Sequence, residues 1–426
     1  MNILNFNRKA IALALSVAVL GVAAPQGKLA QAFPPTSGIA CTTSPTNTFA
    51  LTAQAGYIST PDGNTIYVWS YRNSAGDFQF PGPVLCVNQG DLVTVTLSNS
   101  LNEPVSITFP GQQNVYADGA PAMPVFSGPN LTSLTNVAAP SGSTTYTFTV
   151  SEPGTYLYQS GTDVAKQVQM GLYGALVVRP AGHADWAYNR ADTQFNPANE
   201  YVMLLSEMDP ALHVSIENNT PYDFTTLHNR YWMVNGRSFP DTIAPNNAAW
   251  IPSQPYSSLV HMHPKAASGP DALPAMVRYL SVGTKNHPFH PHGNHGRIIA
   301  RDGRVLQGAA NQDMAYEKFL VMIGAGQTWD ATYEWTNVEN WNPATNPVPI
   351  TLTQQLNQTY GEYYAGSPYL GVQDELPSGL TSYNECGEYY HMWHSHALNE
   401  SANYDAAFGG MLTLQRIDPP TPNACP

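Results

Sequence analysis

The sequence predicts an all-β protein made of two β-sandwich domains, on three observations. Apolar and polar residues alternate with period two in several short stretches, the mark of half-buried strands. Gly and Pro, 33 and 36 of the 426 residues, punctuate the chain between those stretches. No stretch sustains a helical period, and the chain is too long for one sandwich of about 100 residues but suits two larger ones with long loops.

The first element is a leader, residues 1–32. Arg8 and Lys9 precede the apolar run Ala10 to Ala24, and Ala30-Gln31-Ala32 resembles a signal-peptidase site, so the mature chain is expected to begin at Phe33. Its removal takes away Arg8, Lys9 and Lys28 and no acid, moving the formal charge from −13 to −16. The apolar run falls short of the roughly 20 residues that cross a bilayer, and nothing later approaches that length, so no membrane span is expected. A periplasmic or secreted address follows. Without a twin-arginine pair, export is expected to be of an unfolded chain that acquires any metal outside the cytoplasm. An acidic chain with 11% charged residues argues against nucleic acid as partner.

All four cysteines, Cys41, Cys86, Cys386 and Cys425, lie in the exported part, where an oxidising compartment favours disulfides. Three connectivities are open; the expected one is Cys41–Cys86 and Cys386–Cys425, the second tying down a Pro-rich tail.

Strand signals then dominate. Leu92 to Ser98 follows the Gly90 turn and places Val93, Val95 and Leu97 inward with Thr94, Thr96 and Ser98 outward. Thr144 to Val150 repeats the pattern through Tyr146, Phe148 and Val150, and Val277 to Val282 and Met411 to Leu414 read similarly. The join between domains is expected within Pro180 to Asn199, giving domains at 33–185 and 186–426. Residues 337–383, rich in Asn, Gln, Pro and Tyr without periodicity, are expected to form a long functional or variable loop in the second domain.

The histidines are clustered. Of 12, four lie in His287-Pro-Phe-His290-Pro-His292-Gly-Asn-His295 and three in His391-Met-Trp-His394-Ser-His396. In a strand, residues i and i+2 share a face about 6.5 Å apart. Neighbouring strands carrying His290/His292 and His394/His396 would therefore present four imidazoles to one side, a donor set suited to copper, zinc, iron or nickel. His261-Met262-His263 is a third such pair without a partner cluster nearby in sequence. His183, His213 and His228 read as background.

These segments resemble the multicopper oxidases, built from cupredoxin-like Greek-key sandwiches. Phe80-Pro-Gly-Pro followed by Val87-Asn-Gln-Gly-Asp91 resembles the family's first-domain opening, and Gly154-Thr-Tyr-Leu-Tyr158 running to Val178 resembles that domain's close. Asn235 to Thr242, the His287 segment and His394 to Met411 supply the rest in the family's order. The resemblance implies copper as cofactor, a small-molecule or metal-ion substrate, and a homotrimer of the two-domain type. In that family eight histidines from four His-X-His motifs hold a three-copper cluster between two domains, where dioxygen is reduced. Here the first motif reads Thr108-Phe-Pro110 and the second Gln159-Ser-Gly161, so only His290, His292, His394 and His396 match cluster ligands.

The type 1 electron-entry copper is also altered. The family's Cys between two histidines is Ser395, and its second His, five residues on, is Glu400; His287 and Met411 match the first His and the axial Met. A serine hydroxyl is hard and protonated where a thiolate is soft and charged, so no blue centre and no laccase chemistry by the family's route is expected. His391 has no family counterpart and is a candidate additional ligand. The metal candidates are thus His287, His290, His292, His391, His394 and His396. Two readings follow: a divergent copper-dependent oxidoreductase with its metal on the second domain, or a non-catalytic copper-binding or structural cupredoxin-like protein. A zinc hydrolase would need an acidic general base, for which Glu400 alone is close in sequence to a motif.

Overall fold

The computed structural model describes residues 37–336, 389–404 and 409–418. Among them the chain is almost wholly strands and loops, as the alternation predicts, with two short helices, Val164–Met170 and Pro210–Glu217.

The first sandwich packs a four-stranded sheet on a larger one. The strand Val84–Asn88 lies between Cys41–Thr42 and Tyr173–Arg179, which pairs in turn with Gly154–Gln159. The facing sheet sets Thr48–Ser59 between Thr65–Asn73 and Leu92–Asn99, with Ser143–Thr149 beyond. Val93, Val95 and Leu97 are buried, as are Tyr146, Phe148 and Val150, so these strands point inward as predicted. Together with Phe109 and Tyr158 they fill the domain's core. Cys41 and Cys86 form the expected disulfide, joining two adjacent strands of the smaller sheet. Cys386, Cys425 and residues 337–383 lie outside the described residues.

The last strand of these sheets ends at Arg179, and the first strand of the next pair begins at Glu200. In the second sandwich a seven-stranded sheet is centred on Glu200–Met208, Ala275–Ser281 and Thr328–Tyr333. The five-stranded partner runs Val260–Met262, Leu412–Ile417, Tyr389–Ser395, His287–Pro291, Val321–Ile323. Here the half-buried expectation gives way: Ala275–Ser281 and Leu412–Ile417 are buried at every position. The Ala275–Ser281 strand is covered on both faces. Val277 and Tyr279 face the second core, while Met276 and Leu280 pack against other buried clusters that include Tyr188 and the first domain's Val84.

A buried ionic chain crosses between the sandwiches. Glu200 takes Arg179 of the first at 2.6 Å and Arg278 of the second at 2.7 Å. Arg278 also donates to Thr155 at 3.0 Å, and Asp330 accepts from Thr155 and Tyr188 at 2.7 and 2.5 Å.

Candidate metal centre

The two histidine segments are neighbouring antiparallel strands. His287–Pro291 pairs with Tyr389–Ser395 in the register Phe289↔Ser395, His290↔His394, Pro291↔Trp393. Alternation sends Phe289, Trp393 and Ser395 into the interior, all with no exposure, and leaves His290 and His394 on the opposite face. His292 and His396 follow just beyond the strand ends. The four rings meet: centroids of His290 lie 4.7, 5.9 and 5.3 Å from those of His292, His394 and His396, and His394 lies 5.1 and 5.7 Å from His292 and His396.

Ring orientation is set by the backbone. Nδ1 of His290 donates to the Phe319 carbonyl at 2.5 Å and Nδ1 of His394 to the Ser395 carbonyl at 2.7 Å. A carbonyl only accepts, so each ring keeps its proton on Nδ1 and its lone pair on Nε2. Nε2 of His292 and Nε2 of His394 stand 3.0 Å apart. Two nitrogens sharing a metal at about 2.0–2.1 Å would be separated by roughly 2.9–3.4 Å, so this pair already has ligand-pair spacing. Among the described residues no group of three or more His, Cys, Asp or Glu side chains is placed to hold a metal ion. The donor chemistry nevertheless fits copper. Burial, then the neighbouring histidines, pushes His394 down to about 4 despite its carbonyl bond, and the same causes lower His292. Both rings are therefore neutral near pH 7, the form that ligates.

Beside His290 and His292 opens a cavity of about 940 Å3, lined also by Phe319, Trp335, Glu317 and Glu334. It is the size of a small-molecule site and places polar and aromatic groups next to the imidazoles.

On the inward face of the same strands, His287, Ser395, Glu400 and Met411 gather as the resemblance implies, but into a hydrogen-bonded ionic knot. His287 is fully buried, with Nδ1 2.9 Å from Glu400 and Nε2 3.2 Å from Glu207. Ser395 Oγ also donates to Glu400. Glu207 is further held by the Thr284 and Lys285 amides at 2.5 and 3.1 Å. Burial alone would lower His287, yet the hydrogen bonds and charges of the two glutamates outweigh it and raise the ring to about 9. Both ring nitrogens of this candidate ligand are thus committed to carboxylates. Glu400 serves this knot and not the four-imidazole face, so it is not available there as a hydrolytic base. Glu207 was invisible to motif reading; its one signal is an acid near the end of the mostly apolar strand Glu200–Met208.

His391 lies three residues before His394, on the face of Trp393 and Ser395. Its ring packs 4.8 Å from that of Trp335 and against Gly293, and burial followed by the charge of His292 lowers it to about 4. His261 sits on the edge strand Val260–Met262 with Nδ1 3.3 Å from Asp418. In the first domain, Thr108 and Gln159 pair across a β-bridge, and Gly161 lies so close to Thr108 that a Cβ would come within 2.6 Å of Cγ2. The two altered motifs therefore face each other, with no imidazole between them.

Residues 59–183 match the family model described as multicopper oxidase. The chain is 34% identical over 128 residues to copper resistance protein A of Escherichia coli, covering 30% of this chain and 18% of that protein. It is 37% identical over 107 residues to L-ascorbate oxidase of Cucurbita pepo var. melopepo, covering 24% and 17%. The chain thus spans under a fifth of the length of these relatives. In fold it is similar to blue copper oxidase from Nitrosomonas europaea, with TM-score 0.54, 18% identity and coverage of 86% and 85% of the two chains. It is also similar to copper nitrite reductase from the same organism, with TM-score 0.51, 17% identity and coverage of 90% and 95%. With its all-β paired sandwiches, the chain shares the fold of these copper proteins, and over residues 59–183 its sequence is similar to the multicopper oxidases.

Proposed function

We propose that the protein is an exported copper-dependent oxidoreductase that carries its metal on the second domain and has no type 1 copper. One observation carries this reading: four imidazoles from two in-register strands come together beside a cavity of about 940 Å3, with Nδ1 of His290 and His394 anchored to backbone carbonyls. His290, His292, His394 and His396 would hold the metal, and copper bound there supplies one-electron redox chemistry. The chain's own part is to keep His292 and His394 neutral and to fix the rings of His290 and His394 through the Phe319 and Ser395 carbonyls. The cavity admits a small molecule or metal ion beside the site. The missing thiolate and the knot of His287 between Glu207 and Glu400 support the absence of a type 1 centre. The Cys41–Cys86 disulfide and the leader support export.

A homotrimer belongs to this proposal. Met123, Phe126, Leu131 and Leu134 are half or more exposed on the first domain, and the Leu134 amide bonds to the Gly161 carbonyl at 2.9 Å, beside the altered motifs. An exposed apolar patch of this kind is usual for an interaction surface, and a second copy's histidine face, with exposed Phe319 and Met322, is the occupant proposed.

The second reading, copper binding without turnover, is favoured by the first domain's motifs, which bring no imidazole to the site. The deciding experiment is metal analysis of natively purified protein beside His290→Ala and His394→Ala, with turnover assayed on phenols, reduced metal ions and nitrite. The oxidoreductase reading expects copper in the wild type, its loss from both variants, and turnover of at least one substrate. Copper without turnover establishes the binding reading, and full retention of copper in both variants removes the site.

A further inference from the structure

We infer that His391 is a positioning residue that sets the His292 turn from behind, rather than a ligand; this rests on the copper reading above. The chain leaves its strand after Pro291, the His292 amide bonding to the Met392 carbonyl at 2.9 Å. Gly293 then turns it back at φ +76°. A Cβ on Gly293 would lie 2.7 Å from Nδ1 of His391 and 2.9 Å from its Cγ, so the turn is moulded on that ring. The ring's other contact is Trp335, 4.8 Å away and inclined by 37°. Trp335 is itself fixed: it bridges to Pro264, its carbonyl takes the Lys265 amide at 2.8 Å, and it packs on the second domain's core. A solid line of contact thus runs from Trp335 through His391 to Gly293, and from there to the His292 ring whose Nε2 meets His394.

Strand alternation gives the reason His391 does not join the imidazoles directly. It shares the inward face of Trp393 and Ser395, opposite His394. Its service is to hold His292, which lies beyond its strand's end, where no carbonyl contact to Nδ1 matches those of His290 and His394. Groups that orient ligands in this way typically change metal affinity about 10–100-fold when removed.

The test uses the mature chain with three variants. His391→Ala removes the ring, His391→Phe keeps its volume but no donor nitrogen, and Trp335→Leu removes the far side of the stack. Copper affinity and the Cu(II) electron paramagnetic resonance spectrum are measured on each, together with amide hydrogen exchange at His292 to Asn294 in metal-free protein. Expected are a loss of affinity of about tenfold or more in His391→Ala, with exchange at those amides faster by a similar factor, near-native behaviour of His391→Phe, and an intermediate Trp335→Leu. Equal loss of copper and of nitrogen hyperfine coupling in His391→Phe and His391→Ala, with exchange unchanged, would make His391 a ligand and overturn the inference. Unchanged exchange in both His391→Ala and Trp335→Leu overturns it as well. A wild type that takes no copper defeats the copper reading, while the exchange measurement still decides the role of His391.

Discussion

At the scale of single residues, the positions that resemble an electron-entry copper site carry carboxylates and a hydroxyl around His287. His287 lies between Glu207 and Glu400, with Ser395 completing the bonds of Glu400. Because the ring rises from an ordinary 6.5 to about 9, its pairing stabilises the fold fully below about pH 6.5. That contribution, on the order of 3 kcal/mol, is lost as the pH climbs through 9, when two buried carboxylates lose their shared cation. Thermal melting between pH 7 and 10 is expected to fall more steeply in the wild type than in Glu207→Gln. Parallel curves for the two proteins would show that the knot does not bear this charge. Removing one partner should cost more than removing the cation's neutral neighbour, so Glu400→Ala is expected to destabilise by about 3 kcal/mol and Ser395→Ala by about 1 in chemical denaturation.

At the scale of elements, the strands were legible where one face stays wet. Leu92 to Ser98 alternates because Thr94, Thr96 and Ser98 face outward beside buried Val93, Val95 and Leu97, so the sequence carries the pattern in full. Ala275–Ser281 hid its geometry because both faces are covered, and there burial, not alternation, chooses the residues. The His-X-His spacing was readable for the same reason as the first strand: period two places paired side chains on one face. What spacing does not contain is the partner strand. The His290↔His394 register and the arrival of Glu207 from the other sheet depend on long-range pairing that no local pattern records. The same holds for the buried bridge between sandwiches. Glu200 joins Arg179 and Arg278 there, and Glu200→Ala is expected to cost about 3 kcal/mol in urea unfolding because it leaves buried Arg278 short of a counter-charge. A loss under 1 kcal/mol would mean the bridge is idle.

At the scale of the whole molecule, recognition and chemistry have separated. The family model matches 59–183, in the first domain, whereas the clustered imidazoles sit in the other domain. Sequence reading could see both halves, since the first shows itself by framework residues and the second by donor spacing. It could not see that the altered motifs face each other across the Thr108–Gln159 bridge. If that face now serves assembly, the mature protein should run as a trimer in light scattering, and Phe126→Asp with Leu134→Asp should release monomers that keep the fold; a monomeric wild type would end the assembly proposal. Optical absorption during copper titration, read against copper per chain, tests the central claim most directly. The expected result is one or two coppers per chain, lost on His290→Ala or His394→Ala, with no intense blue thiolate band. Four coppers per chain, or a strong blue band, would contradict it.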